Sequence, residues 1–427
     1  MSVLLHRLIV AALLLPPVGA PVRGACVPGS APAEPRAAEP GGGGGEWSHW
    51  RGPNRNGVAP DTEWVIDGVD APLWSAKVGL GYSAVAIHDG RVFTLGYSVE
   101  KERDIVTCLS EETGEVLWTY QYPALIFNNG HEGGTLSTPT VDEDRVYLKD
   151  REGKLFCLEA ATGALRWSKD LKALYGPEMG LWGFSSAPVV HDDALIVDAG
   201  MTFAFDKLTG DLRWKTRDYG NGYSTPIEFT SNGRRWLAVM NASGLVILDP
   251  INGEEKTLYA WKTFNNINAA TPIIIDDRIF ISSGANHGCA MLRWTGEQLE
   301  TLWESKVLKT AMNAAVLWED HLYGFDDGVL KCIDLEGNEQ WAERGLGLGA
   351  LIISNGYLVV LDKGGSLVIA DATPARYNEA HRLKVLEGGK YWTTPIITGG
   401  RIYCRNSLGD LVCLDHRKPG PSAGPKG

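Results

Sequence analysis

Apolar and polar positions alternate along this chain in short runs, and the runs recur. A stretch such as Val189-Val190-His191-Asp192-Asp193-Ala194-Leu195-Ile196-Val197 sets apolar residues on either side of a polar turn, the layout of two tightly joined strands. Two other elements return with it. One is a small residue followed by proline at the start of a strand: Thr138-Pro139, Ala187-Pro188, Thr225-Pro226, Thr271-Pro272 and Thr394-Pro395, with proline-free counterparts at Ser83-Ala84, Ala314-Ala315 and Leu351-Ile352. The other is a strand that ends near an acid, a Thr-Gly turn, and a strand carrying Trp. It is clearest at Thr113-Gly114 to Trp118, Thr162-Gly163 to Trp167 and Thr209-Gly210 to Trp214, with weaker copies ending at Trp261, Trp303 and Trp341.

The spacing of these elements predicts the architecture. Strands start near residues 84, 139, 188, 226, 272, 315, 352 and 395, a repeat of a few tens of residues with one supersecondary unit each. Closing strands are expected at Trp74, Trp118, Trp167, Trp214, Trp261, Trp303 and Trp341 and at the Trp-less Leu383-Lys384-Val385-Leu386. The strand at Trp74 precedes the first start, and the last start has no closing strand behind it. The two complete each other if the ends of the chain meet. The expected fold is therefore all-β: an eight-bladed β-propeller of four-stranded antiparallel blades, its ring closed by the N-terminal strand near Trp74. Gly in the Thr-Gly turn supplies a positive φ, and the indoles fill the gaps where outer strands splay apart.

Composition and charge narrow the function. The chain has 427 residues, 15 of them Trp, and a formal charge of −12, with no basic face of the kind a nucleic-acid binder presents. Residues 1–25 read as a signal peptide, with an apolar run from Leu8 to Leu15 too short to span a bilayer. Residues 26–46, rich in Pro and Ala with five consecutive glycines, read as a flexible linker. Residues 47–416 form the propeller, and 417–427 read as a disordered tail. These features predict an exported protein, periplasmic or held at the cell envelope, with no transmembrane segment, a lipid anchor at Cys26 as an alternative mode of attachment, and a monomeric state. Cys108, Cys157, Cys332 and Cys413 occupy a slot that other repeats fill with Ala204, Ile247 or Ile369, so they read as buried small hydrophobes. Cys404 and Cys413 fall on adjacent strands and could pair.

The repeat of an acid, Thr-Gly and Trp resembles that of the pyrroloquinoline quinone (PQQ)-like propellers, over essentially all of residues 47–416. That superfamily includes quinoprotein alcohol dehydrogenases and non-catalytic BamB-like scaffolds. The opening Trp47-Ser48-His49-Trp50-Arg51-Gly52-Pro53 is similar to that of an exported bacterial group within it, as are Leu181-Trp182-Gly183-Phe184-Ser185 and Tyr391-Trp392-Thr393-Thr394-Pro395. The resemblance implies the fold. The adjacent-cysteine disulfide of the dehydrogenases is missing, and their calcium and base motifs have no residue-by-residue counterpart.

Loops leading into the innermost strands gather on one face of a propeller, where ligands usually sit. Candidate binding residues ahead of the inner strands are Tyr82, His131, Glu132, Trp182, Tyr223, Asn266, Asn268, Asn313 and Trp392. Returning hairpins add Asn241, His287, Lys363, Arg405 and Asn406. Lys363 and Arg405 could clamp an anion, and His131 with Glu132 could form a metal or acid-base pair. The expected function is an exported, non-catalytic binding or scaffold module for a protein or glycan partner, without a cofactor. The alternative is a PQQ-dependent alcohol or sugar dehydrogenase using PQQ with calcium.

Overall fold

The computed structural model describes residues 46–60 and 63–418. The expected signal peptide, Cys26, the expected linker up to residue 45 and the expected tail beyond Lys418 lie outside the described residues, whereas Arg417, also expected in that tail, pairs with Trp64. Eight four-stranded units succeed one another, each antiparallel and ordered from the axis outward. Blade 1 begins with the inner strand Ala86–His88 and ends with Val116–Pro123; blade 2 runs from Thr140–Asp142 to Leu165–Asp170, and blade 3 from Val189–His191 to Leu212–Lys215. Blades 4 to 7 follow the same plan, closing at Glu255–Ala260, Leu299–Ser305, Glu339–Glu343 and Glu379–Lys384. Blade 8 takes three strands from the C-terminal end and its outer strand, Trp74–Lys77, from the N-terminal end. Trp74 stands opposite Cys413 and Lys77 opposite Asp410, which joins the ring as expected.

The Thr-Gly-Trp signature has a mechanical meaning. Trp74, Trp118, Trp167, Trp214, Trp303 and Trp341 each donate their indole N–H to a backbone carbonyl of the next blade: Glu111, Ala160, Lys207, Pro250, Leu335 and Thr373. The ring of Trp118 also lies against Gly163, where a Cβ would sit 2.4 Å from it, and Gly163 has a φ of +73°. Only glycine satisfies both demands at that turn. In blades 1 to 7 the pairing of the outer strand shifts just after the turn, a bulge that re-aims the side chains beyond it. Blade 8, whose outer strand does not follow a turn, pairs without one.

Trp261 departs from this scheme. It lies beyond the end of its blade's outer strand, is buried, and donates to the Ser283 hydroxyl instead of to a carbonyl of a neighbouring turn. The core runs around the ring between blades; Phe93, Leu95 and Cys108 of blade 1, for example, pack on Val146, Leu148 and Phe156 of blade 2. Cys404 and Cys413 are both free. Tyr403, not Cys404, is opposite Cys413, so strand alternation sends the two thiols to opposite faces of the sheet and no disulfide can form.

One feature was not foreseen. The segment from Trp47 to Ala59 crosses the axis and plugs the channel. Trp47 pairs with Ile87 of blade 1, and the Ser48 carbonyl accepts from Val141 of blade 2. Arg55 donates to Val190 O of blade 3, Trp50 to the Thr271 hydroxyl ahead of blade 5, and Arg51 to Ala314 O and Ala315 O ahead of blade 6. Val58–Ala59 then adds a fifth, parallel strand to blade 7. Among the described residues the only α-helix is Leu171–Tyr175, capped by the Asp170 carboxylate, and no helix is long and apolar enough to cross a membrane.

Candidate functional site

The residues just ahead of the inner strands surround a cavity of about 380 Å³ at the open end of the channel. Its position follows from the repeat. Small residues stand two positions ahead of several inner strands, and Thr138, Ala187 and Thr225 line the cavity at points where larger side chains would fill it. The walls are aromatic. Tyr82 and Trp392 stack with centroids 5.2 Å apart and planes 22° from parallel, while His131 meets Tyr82 edge-on at 5.3 Å. Opposite elements contribute Trp182 and Tyr223, edge to face at 5.7 Å. Trp50 of the plug, held by Thr271, is the floor.

Two long loops are tied together at the mouth. The Trp182 indole donates to Asn129 O at 2.8 Å, and the Asn129 amide donates to Leu181 O at 2.8 Å. Beneath the first of these loops lies a fully buried ion pair. Arg151 reaches both oxygens of Asp104 at 2.7 and 2.8 Å and also donates to Leu125 O. Burial pushes the Asp104 carboxyl above its usual range, and Arg151 opposes that push. Tyr223 adopts a φ of +79°, an unusual conformation for a residue other than glycine, at the point where its ring meets the cavity.

Electrostatically the wall is neutral. The Tyr82 hydroxyl donates to Glu132, and burial together with that bond raises the phenol's pKa. Burial would raise Glu132 as well, yet the Tyr82 hydroxyl and Lys390 hold it below its usual value. Lys390 sits 3.6 Å from Glu132, donates to Gly130 O and lies 4.8 Å over the Trp392 ring. Burial and Lys390 lower the pKa of His131, so its ring is neutral near pH 7. Its Nδ1 accepts from the Gly133 N–H, which places the ring proton on Nε2.

The structure thus brings Tyr82, His131, Trp182, Tyr223, Asn313 and Trp392 around one cavity, with Glu132 behind Tyr82. Other candidate residues serve the frame. Asn268 donates to Asn241 O and Trp261 O, both asparagines being fully buried. Asn406 binds Glu387 O and the Asp410 carboxylate. Arg405 is buried, with its guanidinium on Ser83 O, Thr94 Oγ1 and Gly79 O. Lys363 is exposed and lies over Gly347, so the expected anion clamp with Arg405 does not form. Asn266 ends the exposed turn Phe264–Asn266, and His287 packs edge-on against Trp261 at 4.5 Å. Sequence reasoning passed over Trp50, Leu136, Ile267, Ala269 and Met312, which also line the cavity. A signal for Trp50 existed: it is an indole in the opening segment, outside every blade repeat.

The cofactor implied by the dehydrogenase branch can be tested against these donors. PQQ is a tricarboxylate that, with its calcium ion, calls for cationic and carboxylate partners. The lining holds no Lys, Arg, Asp or Glu. Glu132 is engaged by Tyr82 and Lys390, and among the described residues no three His, Cys, Asp or Glu side chains are grouped to hold a metal ion. The residues do not fit that group.

Comparison with known proteins agrees with the geometry of the ring. The family described as "Outer membrane protein assembly factor BamB" matches residues 65–148 and 102–343. Proteins of that name from Yersinia pestis and Shewanella oneidensis are 23% and 24% identical, covering 83% and 80% of this chain and 81% and 88% of theirs. Among solved structures, BamB from Moraxella catarrhalis has a TM-score of 0.56 at 18% identity, over 82% of this chain and 99% of that one. Quinohemoprotein alcohol dehydrogenase from Comamonas testosteroni has 0.66 at 13%, over 89% and 82%, a likeness of fold alone. The family match spans more than half of the sequence, and the chain belongs to this PQQ-like β-propeller family, that of the outer membrane protein assembly factor BamB.

Proposed function

We propose that this protein is an exported, non-catalytic β-propeller that serves as a binding and scaffold module for a protein or polysaccharide partner in the periplasm or at the cell envelope. The observation that carries the reading is the mouth cavity: an uncharged aromatic chamber, floored by the chain's own Trp50 and without a set of charged donors for chemistry. Relatives named as outer membrane protein assembly factors support it. In this reading residues 1–25 direct export, 26–46 tether a monomeric propeller, and 47–416 present the mouth.

The test has two arms. Fractionation of cells making the full chain should recover it from the periplasm or envelope, and recovery from the cytoplasm overturns the export reading. Titration of the exported form, from about residue 26, with PQQ and calcium should give neither saturable Trp quenching nor dye-linked alcohol oxidation. Turnover that Trp392→Ala abolishes would make the protein a quinoprotein dehydrogenase instead.

A further inference from the structure

We propose that the mouth cavity is an anchor site for a polypeptide: it takes a large, uncharged side chain from an extended protein segment, while Leu181, Phe264 and Leu408 at the rim hold the residues on either side. This inference rests on the scaffold reading and narrows its partner to protein.

The first argument is the state of the polar groups in the lining. Ser185 donates to Tyr223 O at 2.9 Å, Thr225 accepts from the Ala187 N–H at 2.9 Å, and Thr138 accepts from the Ala84 N–H at 3.1 Å. Asn313 donates to Trp392 O at 2.9 Å and its side-chain oxygen faces the Thr394 hydroxyl. The cavity's polar groups are therefore turned inward on the protein. A sugar, which needs a hydrogen-bond partner for most of its hydroxyls, finds few of them. Stacked rings and the side chains of Leu136, Ile267 and Met312 offer contact to an apolar body instead.

The second argument is charge. No ionic side chain lines the cavity, and at its edge Lys390 and Glu132 neutralise each other. A charged occupant would lose hydration without gaining a counter-ion. A neutral aromatic or aliphatic side chain loses nothing of that kind, and the Nε2–H of His131 remains to meet one acceptor, such as a backbone carbonyl or a tyrosine hydroxyl.

The third argument is the rim. Phe264 is 74% exposed, Leu181 50% and Leu408 40%. Leu181 adjoins Trp182, Phe264 begins the turn that leads to Ile267, and Leu408 lies over Gly389 beside the Trp392 loop. Apolar residues displayed around an apolar hole form the pattern of an interface built on a central anchor with apolar flanks. A free small ligand would use the hole and leave the rim idle.

The experiment uses the exported form of the chain and fluorescein-labelled peptides Gly-Thr-Ser-Val-X-Val-Ser-Thr-Gly, with X as Trp, Tyr, Leu, Lys or Ala, read by fluorescence anisotropy. Trp, Tyr or Leu at X should bind about tenfold more tightly than Ala or Lys. Ala269→Phe, which fills the cavity, and Trp392→Ala, which opens its wall, should each remove that preference. Leu181→Ser with Phe264→Ser should weaken binding about threefold while leaving the preference at X intact. Equal binding of all peptides, or binding of none, overturns the inference. Binding of maltohexaose that Ala269→Phe abolishes also overturns it but leaves the scaffold reading standing. Turnover with PQQ and calcium would overturn the scaffold reading itself.

Discussion

The two ends of the central channel are built from the same eight strands and have opposite chemistry. At the closed end the chain supplies its own occupant. Arg51 is buried and donates to Asn56 O, Ala314 O and Ala315 O, and burial lowers its pKa to about 10. Gly57, with a φ of +80°, leaves room between Val316 and that guanidinium. At the mouth the rings of Tyr82, Trp182, Tyr223 and Trp392 surround space that the chain leaves unfilled. The difference separates groups that hold the ring together from groups directed outward. Arg51 and Arg55 at the closed end find their partners within the molecule, whereas the apolar walls at the mouth have partners on one side only.

Four experiments would break or sharpen that contrast. The largest effect is expected beneath the mouth loop, where Asp104→Leu strands a buried Arg151. Unfolding free energy in urea should drop by about 3–5 kcal/mol, with faster proteolysis in residues 124–137, since Arg151 also holds Leu125 O. Arg51→Ala removes a buried donor from three carbonyls at the closed end and should lower stability by about 3 kcal/mol. Peptide binding by the folded fraction should not change. A loss of affinity would show that plug and mouth are coupled and that the two ends are not separate.

Acid should act on the plug through His49. Burial, and then Arg55, lower its pKa from 6.5 to about 4. Below pH 6.5 the unfolded chain takes up this proton while the folded chain does not until about pH 4, so the contribution of His49 is intact above 6.5 and is lost as pH falls toward 4. Asp150 and Asp198, raised by burial to about 7 and about 6, act in the opposite direction. The measurement is therefore the difference between the wild type and His49→Gln: it should shrink by about 3 kcal/mol between pH 7 and pH 4. A constant difference would remove His49 as a source of acid sensitivity. The smallest effect on stability is expected for Trp392→Ala, about 1 kcal/mol from the lost stack with Tyr82, because the ring is only half-buried. A drop of several kcal/mol would mean that the wall is part of the core.

The fold was legible because its determinants are local and repeated. A Thr-Gly turn followed by Trp recurs at a fixed offset, and the unmatched strand at Trp74 has one place to go. Trp261 was misplaced for a related reason: composition near a strand end does not reveal whether an indole lies on the strand or just beyond it. The mouth was legible only to the level of loops. That Tyr82 and Trp182 precede inner strands places them on one face, but whether a loop side chain turns to the axis or into the blade depends on partners distant in sequence. Arg405 turns to Ser83 O and Asn268 to Trp261 O, and no pattern in the chain announces either contact. The plug was invisible for the same reason, since Arg51 meets Ala314 and Ala315 across more than half of the sequence.

Ring closure has a consequence for the order in which the protein can be made. Val58 waits for Ile353 and Trp74 for Cys413, so the earliest described strands are unpaired until nearly the whole chain has emerged. Contacts of such sequence separation form slowly, and an open strand edge in the interval invites pairing with other chains. A nascent chain halted before residue 410 can stack its blades but cannot join them, and its open edge is the place where a chaperone or protease should act first.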